Sequence, residues 1–282
     1  MARVWFITGT SRGFGRVWAQ AALERGDSVA ATARDTSTLE DLAAAYGERL
    51  LALQLDVTDK AGIEESVRRA HEHFGRLDVV VNNAGYGQFG AIEELTEQEA
   101  RRQIETNLFG PLWVTKAVVP LLREQRSGHI IQVSSIGGVM AFPMLGLYHA
   151  SKWGLEGFSQ SLAAELAEFG VHVTLVEPGG FSTDWSGTSA GRAQEMAVYD
   201  GVRERRLQAL GPVRSQPGDP QATGAAILEL VDAAEPPLRV FFSSTALQLI
   251  RREYASRIET WQQWDGLAQR AQGGPDTRDS GR

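Results

Sequence analysis

The sequence contains no cysteine in its 282 residues. That absence removes disulfides, thiolate metal sites, iron–sulfur clusters and cysteine nucleophiles together. It also lacks an excess of basic charge: 28 Lys and Arg stand against 35 Asp and Glu, giving a net charge of -7 and a pI ≈ 5.4. Nucleic acids and anionic membranes both select a basic face, so neither is expected as a partner. Long apolar runs are missing too. No stretch approaches the roughly 20 residues that a membrane span needs. The opening Met1-Ala2-Arg3-Val4-Trp5-Phe6-Ile7 stops at Thr8-Gly9, too short for a secretory leader. A cytoplasmic location is the expectation. What remains is the composition of an ordinary globular chain, 43% hydrophobic and 22% charged.

Short apolar runs alternate with longer amphipathic stretches. Strands are expected at Val4–Thr8, Ser28–Ala33, Leu50–Leu55, Asp78–Val81, His129–Val133, Val171–Val176 and Leu238–Phe242. Helical patterns fall between them, over Gly13–Arg25, Thr38–Tyr46, Lys60–Phe74, Tyr148–Phe169, and as a pair over Thr96–Glu124 that meets near Gly110-Pro111. Strands that are apolar throughout, alternating with helices, imply a parallel sheet covered on both faces. The expected fold is therefore α/β: a Rossmann-type doubly wound parallel sheet of about seven strands, in one domain over residues 1–270. Residues 180–220, with Gly187, Gly191, Gly211, Pro212, Pro217 and Pro220, read as loop and as a substrate lid. Leu247, Ile250, Tyr254, Ile258 and Trp261 recur at helical spacing in a C-terminal helix over 243–268. Their stripe suits packing on the chain's own domain or a contact with a second subunit. Residues 271–282 carry no large apolar side chain and read as a disordered tail.

Between the first strand and first helix stands Thr8-Gly9-Thr10-Ser11-Arg12-Gly13-Phe14-Gly15. Glycines there permit a tight turn and close approach to a pyrophosphate, which the next helix's free N–H groups and positive dipole would attract. Alone, three glycines indicate only a turn. Here they resemble the short-chain dehydrogenase/reductase family, whose glycine motif has this spacing, and the resemblance runs from residue 3 to about 242. Asn82-Asn83-Ala84-Gly85 ends the fourth strand as the family's Asn-Asn-Ala-Gly does. Leu55-Asp56-Val57 ends the third, where the family's Asp contacts the adenine. Pro178-Gly179 ends the sixth, and Thr183 stands where the family's Thr holds the nicotinamide carboxamide.

The resemblance implies a nicotinamide dinucleotide held by Gly9, Ser11, Arg12, Gly13, Phe14, Gly15, Asp56, Val57, Asn83, Ala84, Gly85, Pro178, Gly179 and Thr183. NAD enzymes usually carry a carboxylate after the second strand for the ribose 2′-OH. That strand here ends Ala31-Thr32-Ala33-Arg34-Asp35, with a neutral Ala33 at the selecting position. Arg12 and Arg34 suit a 2′-phosphate, so NADP(H) is expected over NAD(H). Asp35 is the contrary signal, unless it serves as a solvated cap for the following turn.

Tyr148-His149-Ala150-Ser151-Lys152 sets a tyrosine and a lysine four residues apart on one helix face. Alone that is an exposed pair, but the glycine motif upstream gives it chemistry. A lysine ammonium favours the phenolate and lowers a tyrosine's pKa. The resemblance implies Tyr148 as acid/base, Lys152 as the residue that lowers its pKa and binds the nicotinamide ribose, and Ser135 as the hydroxyl that orients the carbonyl. Asn107 would distort its helix and support a proton relay. Ser134 alternates away from the site. Among the histidines, His71 and His73 cannot share a helix face, and His149 reads as surface or packing. Glu64-Glu65 and Glu93-Glu94 read as solvated faces. No metal is expected.

These residues imply an oxidoreductase acting on CH–OH groups, interconverting an alcohol and a ketone or aldehyde with NADP(H). Apolar side chains near the site, Phe142 and Trp185 foremost, imply a bulky, hydrophobic, neutral substrate held beside Ser135 and Tyr148. Tyr86, Phe89, Val139, Met140, Met144, Leu147, Met196 and Tyr199 are further candidates, about half of them expected only to pack beneath the loops. The family's habit implies a homodimer or homotetramer. Two rival readings are a non-catalytic NADP-binding sensor and an epimerase working through a transient ketone.

Overall fold

A computed structural model describes residues 2–214 and 217–273, apart from the side chains of Ser186 and residues 209–214. The described elements run β1 (Val4–Thr8), α1 (Gly13–Arg25), β2 (Ser28–Ala33), α2 (Glu40–Tyr46), β3 (Leu50–Gln54), α3 (Lys60–Phe74), β4 (Val79–Asn82) and β5 (Gln88–Phe89). They continue through α4 (Glu97–Ile104), α5 (Gly110–Gln125), β6 (Gly128–Val133), α6 (Gly146–Leu166), β7 (Val171–Pro178), β8 (Gly191–Arg192), α7 (Asp200–Arg214), α8 (Ala222–Asp232), β9 (Arg239–Phe242) and α9 (Ala246–Ala271).

Seven strands form one parallel sheet in the order β3-β2-β1-β4-β6-β7-β9. Side chains alternate across it, so each strand feeds two cores. Trp5, Ile7, Val29, Val81 and Ile131 face one side, where Trp18 and Leu23 of α1 and Ile227 and Leu230 of α8 cover them. Phe6, Ala30, Val80 and Ile130 face the other, under Ile63 and Val67 of α3, Val114 and Val118 of α5, and Leu162 and Leu166 of α6. Chain direction across the sheet reverses between β1 and β4. In open α/β sheets that switch point is where ligands bind, at the carboxyl ends of the strands.

The chain divides into two compact units, one ending at Ser243 and one beginning at Ser244. The first holds the whole sheet; the second holds α9, which runs Ala246–Ala271 instead of 243–268 and carries the apolar stripe from Leu247 to Trp261 at helical spacing. The whole seven-stranded sheet thus lies in the one α/β domain that the sequence implies. The tail expected from 271 lies, beyond residue 273, outside the described residues.

Residues 180–220 also differ from expectation. They hold β8 and the 15-residue α7 as well as loop. The helix escapes an apolar-period reading because its described side chains form no buried apolar stripe; Leu207 is 49% exposed. Arg203 anchors it instead, pairing with Glu94, with Glu195 at 3.6 Å and with Asp200 at 2.8 Å. Across the gap in sequence, β5 and β8 pair in parallel through Gln88–Gly191 and Phe89–Arg192.

Candidate active site

The glycine turn forms a cradle at the end of β1. Gly9 (φ 70) and Gly13 (φ 59) adopt left-handed backbone, which glycine takes at little cost. Gly15 is required by closeness: a β-carbon there would lie 2.4 Å from Gly9 O and 2.5 Å from Asn83 Nδ2. Asn83 fixes the turn by donating from Nδ2 to Thr8 O and Gly9 O, both at 2.9 Å. Thr8 Oγ1 accepts from the amides of Asn83 and Ala84 at 3.0 Å. The side chain of Asn83 is therefore spent on the turn and does not reach outward.

The start of α1 is open. Its N-cap, Arg12, makes no side-chain cap, and its first turn carries no acidic residue. Unpartnered N–H groups at a helix N-terminus attract phosphate. Beyond Gly13, nothing lies within 4 Å of where a β-carbon would be. The cradle and open helix end fit a dinucleotide's pyrophosphate. At the end of β2, Arg34 is exposed, while Asp35 accepts from Ser37 N at 3.0 Å as the cap of the next turn. Asp56, after β3, is exposed and accepts from Thr58 N and Oγ1; Val57 is buried against Gly110. Pro178 ends β7, and Gly179 lies against Ser243, where a β-carbon would meet Oγ at 2.6 Å.

Arg12 is not a free cation. Its guanidinium pairs with Asp184 at 2.6 Å, joining the glycine turn to the turn that Thr183 caps. Asp184 also accepts from Thr188 N, Thr188 Oγ1 and Ser189 Oγ. Those bonds and Arg12 hold its carboxyl below the usual carboxylate range, the Ser189 bond most strongly.

The four residues of the proposed chemistry converge at the carboxyl edge of β4 and β6. Tyr148 and Lys152 are buried on one face of α6. Lys152 Nζ donates to Val133 O at 2.7 Å and stands 5.9 Å from the Tyr148 ring centre. Ser135 follows β6, and its Oγ accepts from Gly137 N at 3.0 Å. Between α4 and α5, residues Glu105–Phe109 form a π-helical turn around buried Asn107, the distortion that the sequence led us to expect; such turns recur at functional sites. Asn107 exchanges hydrogen bonds with the Tyr86 backbone, accepting at 3.1 Å and donating at 2.8 Å. A β-carbon on Gly85 would lie 3.2 Å from Asn107 Oδ1 and 3.8 Å from Lys152 Nζ, so one small residue separates the two.

One electrostatic expectation is corrected. Burial pushes the Tyr148 phenol up to about 12, against the opposing pull of the Ser135 hydrogen bond. Burial also pushes Lys152 down to about 8, with Glu156 acting against it. Desolvation of the charged form is the larger cause at both residues.

Trp185 roofs the tyrosine. Its ring lies 4.9 Å from that of Tyr148 and 5.5 Å from Phe89, and its indole allows no side chain at Gly87, where a β-carbon would approach to 2.6 Å. Phe142 is half-buried beside His149, ring centres 5.5 Å apart. Val139 and Met144 are buried; Met196 and Tyr199 lie further out, with the Tyr199 hydroxyl donating to Glu93 at 2.6 Å.

Two other residues depart from their sequence reading. His149 is neither surface nor simple packing: it is 4% exposed and both ring nitrogens are hydrogen-bonded. Glu94 is not on a solvated face. Buried, it accepts from Ala91 N and Met196 N, each at 2.7 Å, and pairs with Arg203. Ser134 is buried near Glu156, both beside Gly138, and Ser134, Glu156 and Glu177 each keep a buried side-chain oxygen without a hydrogen-bond partner. Arg239 Nε reaches Glu156 at 2.8 Å and Glu177 at 3.7 Å. Burial, reinforced by Glu156, raises the Glu177 carboxyl to about 8. Among the described residues, no group of three or more His, Asp or Glu is placed to hold a metal, and no helix is long and apolar enough to cross a membrane.

Residues 3–193 match the family model described as short chain dehydrogenase. An oxidoreductase from Botryotinia fuckeliana, BOA17, is 42% identical over 250 residues, 88% of this chain and 91% of its own. The crystal structure of a short-chain dehydrogenase from Streptomyces avermitilis is 40% identical, with a TM-score of 0.89 over 96% of this chain and 98% of its own. An alcohol dehydrogenase from Thermococcus sibiricus, in complex with 5-hydroxy-NADP, is 26% identical, with a TM-score of 0.73 over 87% and 98%.

Proposed function

The chain belongs to the short-chain dehydrogenase family of oxidoreductases, and from that premise we propose that it reduces a bulky, neutral, hydrophobic ketone with NADPH, or oxidises the corresponding alcohol with NADP⁺. The observation that carries this reading is the convergence of Tyr148, Ser135, Lys152 and Asn107 beside a glycine cradle and an open helix N-terminus.

The bound nicotinamide supplies or accepts the hydride. Gly9, Gly13 and Gly15 shape the turn for the pyrophosphate, and the first amides of α1 donate to it. Lys152 serves the nicotinamide ribose and Thr183 the carboxamide, as in the family. Arg34 meets the 2′-phosphate. No carboxylate competes there, because Ala33 has none to offer and Asp35 is engaged by Ser37. Arg12 joins it when it leaves Asp184.

At the carbonyl, Ser135 Oγ accepts from Gly137 N and bonds Tyr148, so its hydroxyl proton turns from the phenol to the substrate oxygen when substrate enters. Tyr148 gives the second hydrogen bond and then the proton. A phenol pushed up to about 12 carries that proton throughout the neutral range, the state that reduction requires. Reprotonation of Tyr148 runs past Lys152 and the neighbouring Asn107. Trp185 and Phe89 exclude water from the tyrosine and offer aromatic surface to an apolar substrate.

The test is steady-state turnover, followed by nicotinamide absorbance, with a panel of ketones and alcohols graded by size and charge and with both cofactors. Bulky apolar ketones with NADPH should give the highest kcat/KM. Faster turnover of small charged keto acids would overturn the substrate class, and equal use of NADH would overturn the cofactor preference.

A further inference from the structure

His149 occupies an unusual station. It follows Tyr148 on α6, so its ring leaves the helix about 100° around from the phenol and faces the strap that joins Ser135 to Tyr148. Both rings abut that strap: a β-carbon on Gly137 would lie 2.8 Å from His149 Nδ1 and 3.2 Å from Tyr148 Cε1. His149 Nδ1 lies 2.8 Å from Gly137 O, and Phe142 N donates to His149 Nε2 at 2.9 Å. We infer that His149 is a positioning residue: one neutral imidazole pins the strap at Gly137 and at Phe142, aiming the Ser135 hydroxyl through Gly137 and holding Phe142 at the substrate.

The two partners dictate the tautomer. A carbonyl only accepts, so Nδ1 carries the hydrogen. An amide only donates, so Nε2 offers its lone pair. No other protonation state satisfies both at once. From there the relay is short. Gly137 receives the Nδ1–H bond on its carbonyl and passes its own N–H to Ser135 Oγ at 3.0 Å. A shift of the imidazole therefore moves Gly137, the residue whose N–H orients the serine. At the far end Phe142 is tied by its backbone and touched by the same ring.

The strap has reason to need such a tie. Met144 sits at φ 67, left-handed backbone that a side chain adopts only under constraint. Gly90 N supports that point by donating to Met144 O at 3.1 Å. Between Gly137 and Phe142, His149 provides the matching restraint from inside. Its test rests in part on the carbonyl-reducing reading above, and for that reason includes a measurement independent of turnover.

Three substitutions separate the two bonds. Asparagine extends only as far as Nδ1, so H149N keeps a donor for Gly137. Glutamine extends to Nε2, so H149Q keeps an acceptor for Phe142. H149F fills the space and makes neither bond. With a bulky aryl ketone and NADPH, H149F should lose about 10- to 100-fold in kcat/KM, the scale of a small misplacement of reacting groups. Cofactor binding, followed by quenching of tryptophan fluorescence, should not change. H149N should retain kcat better than H149Q, and H149Q should retain the ketone KM better than H149N. The turnover-independent measurement is nitrogen NMR of histidine-labelled wild-type protein: His149 should give a protonated Nδ1 and an unprotonated Nε2. An Nε2-protonated ring, or H149N and H149Q indistinguishable from wild type in kcat and KM, would overturn the assignment. So would variants that lose only thermal stability. If H149F does not fold, the asparagine and glutamine pair carries the kinetic test. An enzyme silent toward every ketone but with the expected tautomer would refute the carbonyl reading and leave this one standing.

Discussion

Glu177 offers a sharp test of how burial governs this site. It is 1% exposed, its nearest cation is Arg239 at 3.7 Å, and that guanidinium lies closer to Glu156. Burial and the Glu156 charge raise its carboxyl from an ordinary 4.5 to about 8. The unfolded chain ionises Glu177 near 4.5, while the folded chain holds the proton until about 8. Stability is therefore fully present below about pH 4.5 and is lost as pH rises, levelling off above about 8. Each tenfold difference in proton affinity is about 1.4 kcal/mol, so the loss across that window is about 4 to 5 kcal/mol. Glu177→Gln keeps the shape of the protonated acid and cannot ionise. Urea unfolding followed by circular dichroism should find the variant about 1 kcal/mol more stable than wild type near pH 5, and about 4 kcal/mol more stable near pH 9. A stability difference that stays constant across pH, or a variant weaker than wild type at pH 9, would refute the reasoning.

Three further outcomes follow from the geometry. Tyr148→Phe keeps the ring and removes the acid, so kcat should fall about 100-fold or more while cofactor affinity in a fluorescence titration holds; near-normal kcat would remove Tyr148 from the chemistry. Arg34→Asp should lower the ratio of kcat/KM for NADPH to that for NADH about tenfold or more, by losing a phosphate contact and adding repulsion; an unchanged ratio would exclude Arg34 from cofactor choice. Glu94→Gln removes the charge that meets Arg203 but retains an acceptor for Met196 N, so the ketone KM should rise several-fold with little change in cofactor KM. An unaltered ketone KM would dissociate α7 from substrate binding.

Much of this architecture was legible in the chain because the signals are local. Val4–Thr8 and Ser28–Ala33 are mostly apolar and emerged as strands with those bounds. The glycine turn and the Tyr148–Lys152 spacing each sit within a few consecutive residues, and the seam near Gly110-Pro111 marks the end of the π turn around Asn107. What escaped depends on partners remote in sequence. Glu94 and Arg203 are 109 residues apart, and Arg12 and Asp184 are 172 apart; no periodicity announces such pairs. His149 was invisible for another reason: it bonds backbone atoms, which carry no sequence signal. The directions of the Tyr148 and Lys152 shifts escaped as well, because spacing shows that two groups are near but not how deeply both are buried.

The polar anchoring of α7 bears on how such an enzyme diversifies. Its described side chains contribute nothing to either core of the sheet, and the segment is fastened by Arg203, by Arg206 over the Phe89 ring, by Tyr199 on Glu93 and by the two residue pairs of β5 and β8. Mutations along residues 197–208 that spare Tyr199, Arg203 and Arg206 should therefore leave the folding of the sheet and the cofactor cradle almost untouched. Roof and foundation can drift under separate selection, one for what enters the cleft, the other for holding the dinucleotide. A variant library confined to that stretch would explore new substrates from a nearly constant stability, a freedom that a helix seated in the hydrophobic core would not have.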